Sequence, residues 1–245
     1  MEPRRNAFEQ PIGAPVPGWK GAQPPGREPL TGRYCRVEPV DVERHAADLF
    51  DAYSSAADGR DWTYLAVGPF ESPAAYREHL TRMAASTDPL HYALIDLATG
   101  KAVGTFALMR IDPANGVIEV GHVAYSPRVK RTRVATEAMF LLMSEVFGKL
   151  GYRRFEWKCD SLNEPSRAAA LRYGFTFEGI FRQAIVYRKR NRDTAWFSTI
   201  DKEWAGLRAC YTRWLDAENF DAQGRQVERL ADLIARQRVV EGKSA

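Results

Sequence analysis

Residues 116–150 constrain the fold more than any other part of the chain, because they combine a strand, a basic turn and a long helix. The strand, GVIEVGHVAY, sets apolar residues among small and polar ones, and Pro127 ends it because proline cannot donate to a sheet ladder. The helix has apolar residues three or four positions apart, as one helix face requires. These residues are Ala135, Met139, Leu142, Val146 and Leu150.

The turn between strand and helix is strongly basic, with Arg128, Lys130, Arg131 and Arg133. A helix N-terminus directs unpaired N–H groups and a partial positive charge at whatever faces it. Four cations at this place favour an anion site, with phosphate as the first anion to consider. A solvated turn explains the same residues equally well, so the turn alone leaves both interpretations open.

Composition limits the class of protein. The chain has 245 residues, 45% of them hydrophobic, which is enough to bury a core, and a net charge of only +4 does not require a nucleic-acid partner. No apolar run approaches the roughly 20 residues that span a bilayer. Cys35, Cys159 and Cys210 are an odd number at wide spacings, which suggests neither a disulfide framework nor a zinc site. We therefore expect a cytoplasmic protein with no metal and no membrane partner.

The chain divides into three parts. Residues 1–30 are rich in proline and glycine and are interpreted as an extended arm. Residues 31–201 alternate strand and helix patterns and form the main domain. Residues 202–245 carry apolar residues at helical spacing, and we expect helices there that pack on the domain or on a partner chain, as in a homodimer.

Within 31–201 the pattern predicts a strand near 34–38, two helices, three antiparallel strands up to residue 125, and the long helix. A strand at 152–158, a short helix and two further strands follow. The connection from strand 117–125 through the helix to strand 152–158 is long enough for a parallel crossover. The short helix opens at Asn163-Glu164-Pro165-Ser166, with Asn163 as N-cap, and ends at Gly174.

This order resembles the GNAT superfamily of acetyl-coenzyme A-dependent N-acetyltransferases. Two motifs carry the resemblance: ATEAM at 135–139, and Asn163–Ser166 with Gly174–Gly179 downstream. They are similar to the branch that includes ribosomal-protein N-terminal acetyltransferases. The resemblance implies an α+β fold with a mostly antiparallel twisted sheet, one splayed parallel strand pair, flanking helices and a C-terminal helical extension. It also implies an enzyme that uses acetyl-CoA.

The resemblance implies a set of coenzyme-binding residues. The family's turn, Gln/Arg-x-x-Gly-x-Gly/Ala, holds the coenzyme A pyrophosphate with its backbone N–H groups. On this chain it falls on Lys130, Arg131, Thr132, Arg133, Val134 and Ala135. Backbone groups near Val123 and Tyr125 would hold the pantetheine arm and the acetyl oxygen, and Asn163 the pantetheine amide.

Arg131 and Arg133 stand where the family has glycine. If the turn keeps φ negative and the side chains point outward, the arginines add charge-assisted bonds to the phosphates. Otherwise the turn is occluded, and the protein is a noncatalytic binding or regulatory module.

The resemblance also implies catalytic residues. Glu119 is the candidate base, against the alternative of a surface carboxylate; by the period-two rule it shares a strand face with Gly121, Val123 and Tyr125. His122, predicted on the opposite face, is the competing base. Ser166, three residues after Asn163, matches the serine of the resembling branch and is the candidate acid, with a bond to the pantetheine as the alternative. The position where many relatives carry tyrosine is Ala170, which excludes a tyrosine acid.

The loop Asp61–Leu65 is predicted to line the acceptor pocket, with Trp62 and Tyr64 as its apolar wall and Asp58 and Asp61 attracting a cationic amine. Acceptors compatible with this reading are an amine-bearing small molecule or a protein N-terminus. Nucleic-acid binding by the basic clusters at 128–133 and 188–192 is less favoured, because no aromatic residues interleave those charges as stacking platforms do.

Overall fold

The structure is a computed structural model that describes residues 4–240 and residue 242. In the described part of the chain the strands are β1 (Arg4–Arg5), β2 (Pro11–Ile12), β3 (Leu30–Thr31), β4 (Cys35–Pro39), β5 (Leu90–Asp96), β6 (Lys101–Asp112), β7 (Val117–Tyr125), β8 (Arg154–Asp160), β9 (Thr176–Tyr187) and β10 (Arg190–Ile200). The α-helices are α1 (Val42–Ser54), α2 (Pro73–Ala85), α3 (Arg133–Met143), α4 (Glu164–Arg172), α5 (Asp201–Leu215) and α6 (Leu230–Val240).

Eight strands form one sheet in the order β3-β4-β5-β6-β7-β8-β10-β9. The neighbours β7 and β8 are parallel and the other pairs are antiparallel. Helix α3 makes the crossover between the two parallel strands, as the connection length predicted. The fold class expected from the sequence is therefore confirmed.

The helix α3 starts and ends for local reasons. Thr132 is its N-cap, and the Thr132 side chain accepts a hydrogen bond from the N–H of Ala135. Past Met143 the chain continues as a π-helical turn, Ser144–Lys149, so the predicted helix to residue 150 changes its winding in its last part.

Helices cover the sheet on both faces. The larger core lies between the sheet and α3, α5 and α6, and includes Phe106, Ile118, Phe155 and Phe197. On the other face α1 and α2 pack on the first strands through Leu49, Leu80 and Ala93, among others. The second half of the sheet carries charged and polar side chains on that same face.

Glu137, in the ATEAM sequence, ties α3 to the start of the domain. Its carboxylate accepts backbone hydrogen bonds from Arg33 (2.7 Å), Tyr34 (2.6 Å) and Cys35 (2.8 Å). Gly32 passes so close that a Cβ there would lie 2.4 Å from the Glu137 carboxylate. A buried carboxylate with three N–H donors is well compensated, and it fixes the edge of the sheet on α3.

The chain's two extensions pack on the domain. In the arm, Trp19 donates its indole N–H to Ala114 O (2.8 Å), and the N–H of Ala22 bonds Pro113 O (2.9 Å). In the tail, Tyr211 of α5 stacks on Phe140 of α3 with ring centres 5.6 Å apart. The tail helices were predicted to pack either on the domain or on a partner chain, and in the structure they pack on the domain.

Candidate active site

The parallel strands β7 and β8 separate halfway along their length. Their register runs from Val117 opposite Arg154 to Val120 opposite Trp157 and then stops, although β7 continues to Tyr125 and β8 to Asp160. The N–H of Ser126 donates to Val103 O of β6 (3.2 Å), so by alternation the N–H of Tyr125 points to the other edge, into the gap. The gap thus offers backbone groups to an extended ligand.

A β-bulge lies at the start of this gap. Gly121 pairs with Ala107, but Ala124 pairs with Thr105, so β7 has one residue more than β6, and His122 adopts φ +50. Because of the extra residue, each side chain after the bulge points to the face of the sheet opposite to the one that regular alternation predicts. Val123 and Tyr125 pack against the α3 core, not on the face of Glu119. The prediction that they share a face with Glu119 is therefore wrong, because period-two counting does not see a bulge.

His122 is also placed differently from the prediction. Its ring stacks on His91 with centres 5.3 Å apart, and His91 pairs with Ala107 on the face that carries Glu119. The prediction of the opposite face is wrong for the same reason. Burial, with Arg110 as the second cause, lowers the pKa of His122.

Glu119 is buried, with 4% of its surface exposed. Its Oε2 lies 2.9 Å from Lys158 Nζ and 3.4 Å from Arg110 Nε. Neither contact has hydrogen-bond geometry, and no other donor in the described chain reaches this oxygen. Burial raises the pKa of Glu119 and Lys158 opposes that rise. Glu119 is thus an enclosed carboxylate beside the strand gap, not an exposed group on the sheet surface.

The basic turn has free backbone donors. The N–H groups of Val129 and Lys130 bond Ser126 O, and that of Thr132 bonds Val129 O. For the N–H groups of Arg131, Arg133 and Val134, no acceptor lies in hydrogen-bond geometry within the described residues. Together with the N-terminus of α3 they are unpaired backbone donors, the kind of group that binds anions at helix N-termini.

Most of the turn's cations are used elsewhere. Lys130 forms an ion pair with Asp61, and Arg128 Nη1 lies 2.8 Å from Asp51 Oδ2. The Arg133 guanidinium lies between two rings, 4.9 Å from the centre of Tyr34 and 4.6 Å from that of Phe220. The exposed Arg131 has no ion pair or hydrogen bond to any other described residue. Three of the four cations thus have partners within the chain, and an anion site at the turn stays a prediction.

Arg131 adopts φ +64, the left-handed conformation that favours glycine. The condition that the turn keeps φ negative is thus not met at Arg131. The backbone nonetheless bends as a glycine would allow, and the Arg131 side chain is exposed. Arg133, the first residue of α3, has no positive φ.

Asn163 and Ser166 lie on the far side of the gap, at the start of α4. Asn163 Oδ1 accepts from the N–H of Ser166 (3.2 Å), which confirms the N-cap. Ser166 Oγ accepts from the Trp157 indole N–H (3.0 Å), so its own hydroxyl hydrogen can be donated to another group. Ala170, where many relatives carry tyrosine, is fully buried.

The predicted acceptor residues separate into two environments. Trp62 is buried and lines a half-open cavity of about 180 Å³ together with four other aromatic residues, Phe50, Tyr53, Phe70 and Tyr76. Tyr64 does not line it; its hydroxyl donates to Leu162 O (3.0 Å) and joins the loop to the β8–α4 connection. Asp58 pairs with Arg60 and Asp61 with Lys130, so each carboxylate already has a cation.

The β9–β10 hairpin is bound to the same loop. Arg188 Nη1 donates to Trp62 O (3.1 Å) and Arg190 Nη2 to Thr63 O (2.6 Å). Two arginines of the second basic cluster are therefore engaged within the chain.

Sequence reasoning missed Lys158, Glu156 and Arg110, which surround Glu119. A signal was present: in strand 154–160 the charged residues Arg154, Glu156, Lys158 and Asp160 alternate with Phe155, Trp157 and Cys159. Period-two alternation places the charges on one face. In the structure that face is the one Glu119 occupies.

In the described residues there is no group of three or more metal-ligating side chains arranged to hold a metal ion. No helix of that part of the chain has the length and apolar character needed to cross a membrane.

The chain resembles several known proteins. The family model "Acetyltransferase (GNAT) domain" matches residues 36–176. A GCN5-related N-acetyltransferase structure from Brucella melitensis is 47% identical, with a TM-score of 0.88 over 89% of this chain and 99% of that one. An uncharacterised N-acetyltransferase, p20, of Bacillus licheniformis is 26% identical over 67% of this chain and 93% of its own length.

A more distant structure shares the fold alone. It is an acetyltransferase from Salmonella typhimurium that modifies the N-terminal serine of a 50S ribosomal subunit protein. It is 19% identical, with a TM-score of 0.57 over 71% of this chain and 99% of that one. The family match covers more than half of the chain. The chain belongs to the GNAT acetyltransferase family and is an acyltransferase.

Proposed function

We propose that this protein transfers an acetyl group from acetyl-CoA to the primary amine of a small molecule or a protein N-terminus. The observation that carries the proposal is the gap between β7 and β8. It has free N–H groups at the turn before α3 on one side and the buried Glu119 on the other.

The turn would hold the coenzyme through its backbone. The pyrophosphate would accept from the N–H groups of Arg131, Arg133 and Val134, near Lys130, Thr132 and Ala135. The pantetheine arm would lie in the gap beside Val123 and Asn163. The N–H of Tyr125 would then donate to the acetyl carbonyl oxygen, where the oxyanion forms when the amine attacks the carbonyl carbon.

Glu119 would take the proton that the ammonium form of the acceptor must lose before it attacks. Burial raises the pKa of Glu119 from its ordinary value, in the direction of a neutral working pH. Ser166 would give its hydroxyl proton to the leaving thiolate, since Trp157 occupies its acceptor side. His122 is less suited as base because its lowered pKa weakens it as a proton acceptor.

The acceptor would approach between the loop that carries Trp62 and Tyr64 and the β9–β10 hairpin. The aromatic cavity beside Trp62 supports an apolar group on the acceptor. The paired states of Asp58 and Asp61 do not favour a strongly cationic one.

Titration calorimetry with acetyl-CoA and with coenzyme A tests binding first. Release of free thiol is then followed with a panel of amines, including polyamines, amino acids and peptides with a free N-terminus. We expect acetyl-CoA binding, and turnover with at least one amine that falls at least tenfold in Glu119→Gln while coenzyme affinity stays within about twofold. An unchanged rate in Glu119→Gln removes this residue as base.

A second candidate is a noncatalytic binding protein, which the non-glycine residue Arg131 at φ +64 favours. No binding at millimolar acetyl-CoA would favour this alternative. The three cysteines are buried and form no disulfide among the described residues, which supports a reducing compartment such as the cytoplasm. A homodimer stays a prediction, which sedimentation at high protein concentration decides.

A further inference from the structure

Two carboxylates face each other in the parallel strand pair. Glu119 on β7 is the register partner of Glu156 on β8, and they are 4% and 6% exposed. Like charges directly opposite one another destabilise a sheet, and burial makes each charge costly unless it is paired. The pair therefore needs a cation.

Lys158 supplies it. Its side chain is 5% exposed, and Nζ lies 2.9 Å from Glu119 Oε2 and 2.6 Å from Glu156 Oε2. The ammonium also sits 3.9 Å from the centre of the Trp196 ring, within cation–π distance. Lys158 is the first residue of β8 beyond the paired stretch, so this cation lies where the strands separate.

The two carboxylates do not depend on Lys158 equally. Glu156 has a second partner, Arg154, whose Nε lies 2.6 Å from Glu156 Oε1. Arg154 in turn pairs with Glu178 of β9, and Glu178 also accepts from Ser198 of β10. Glu119 has Arg110 of β6, but that contact is longer, 3.4 Å, and the Arg110 side chain is half exposed.

Other titratable groups near this face include His122 on β7 and His91 on β5, and His79 of α2 interacts electrostatically with both. Desolvation is the main cause that lowers the pKa of all three histidines, although His122 as a whole residue is exposed. They therefore add little positive charge near Glu119 at neutral pH. Lys158 is thus the main group that keeps Glu119 ionised.

We propose that Lys158 is a positioning residue that holds Glu119 ionised and in place at the strand gap, beside a second carboxylate. The inference rests on the proposed role of Glu119 as base. Glu119 takes one proton from the acceptor ammonium, which leaves a neutral amine and a carboxylic acid.

The test measures Glu119 directly. Protein labelled with carbon-13 in its glutamate carboxyl groups is titrated by NMR, and the spectrum of Glu119→Gln assigns the signal. Lys158→Met is expected to move the Glu119 midpoint up by about one pH unit or more, because two carboxylates then face each other without the shared cation. Glu156→Gln is expected to move it down, and Lys158→Arg to keep it near the wild-type value.

An unmoved midpoint in Lys158→Met overturns the proposal. If that variant does not fold, the other two variants decide. The proposal is also overturned if the Glu119 midpoint does not move down in Glu156→Gln, or if it moves far up in Lys158→Arg. The pH profile of kcat/KM provides the second readout, and its acid limb should move with the NMR midpoint. A merely structural lysine would lower Tm and rate without moving that limb.

The NMR titration needs no substrate, so it separates two failures. If no amine is acetylated, the proposed function fails while the midpoints still report on Lys158. If turnover is found and the midpoint in Lys158→Met stays unchanged, the proposal on Lys158 fails while the proposed function stands.

Discussion

Lys130 and Asp61 form an ion pair that joins the turn before α3 to the loop between α1 and α2. The pair connects the surface proposed for the coenzyme with the loop proposed for the acceptor. A phosphate bound at the turn would compete with Asp61 for the same ammonium group.

Asp61→Asn frees Lys130 and should therefore tighten coenzyme A binding, by up to about fivefold for a partly exposed pair. Calorimetry with coenzyme A measures this. Asp58→Asn is the matched control, because Asp58 lies in the same loop but pairs with Arg60. Weaker binding in Asp61→Asn would show that the pair helps to shape the site.

Arg131→Gly tests the strained turn. A left-handed conformation costs a non-glycine residue about 1–2 kcal/mol, and the added freedom of unfolded glycine offsets about half of that. We expect the free energy of unfolding to rise by up to about 1 kcal/mol in denaturant titration. Coenzyme affinity should fall less than tenfold if the backbone makes the main contacts.

Arg133→Gly is the control for that variant. Arg133 begins α3 without a positive φ and lies between the Tyr34 and Phe220 rings, so glycine there should destabilise the protein. A gain in stability from both changes would contradict the conformational explanation.

Glu137→Gln removes the charge that receives three backbone N–H groups. Because hydrogen bonds to a buried charge are strong, we expect a loss of about 2–4 kcal/mol in the free energy of unfolding. Glu78→Gln, an exposed glutamate paired with Arg82, should cost less than about 0.5 kcal/mol. Equal losses in the two variants would mean that Glu137 does not anchor residues 33–35.

His91 predicts a pH dependence of stability. Burial, and then the charge of neighbouring His122, lowers the pKa of His91 to about 4. An unfolded histidine titrates near 6.5, so between these values the unfolded chain binds more protons and stability falls as the pH falls. The wild-type protein should lose about 3 kcal/mol between pH 6.5 and pH 4 from this group. His91→Phe, which keeps a ring against His122, should flatten this slope; the same slope in both proteins would exclude His91 as its source.

Three features could be predicted from the sequence. The order of strands and helices along the main domain follows from local periodicity, the parallel crossover from connection length, and the N-cap at Asn163 from capping chemistry. The set of residues that surrounds Glu119 could not be predicted in the same way. Arg110 lies on β6 and Lys158 on β8, the strands on either side of β7, and their contact with Glu119 depends on how these strands are aligned. The partners of Lys130 and Arg133 lie far away along the chain, at Asp61, Tyr34 and Phe220. Tertiary contacts of this kind leave no local pattern.

The bulge at His122 divides β7 into two halves that serve different layers of the molecule. Before it, Glu119 belongs to the polar layer; after it, Tyr125 belongs to the core beneath α3, where its hydroxyl is buried with no partner among residues 4–240. Deleting one residue here would leave a regular ladder of hydrogen bonds between β6 and β7. The side chains that follow the deletion would, however, move to the opposite face of the sheet. The Tyr125 ring would stand on the face where we propose that the amine enters, and the geometry of the proposed site is therefore encoded as much in the number of residues of this strand as in their identity.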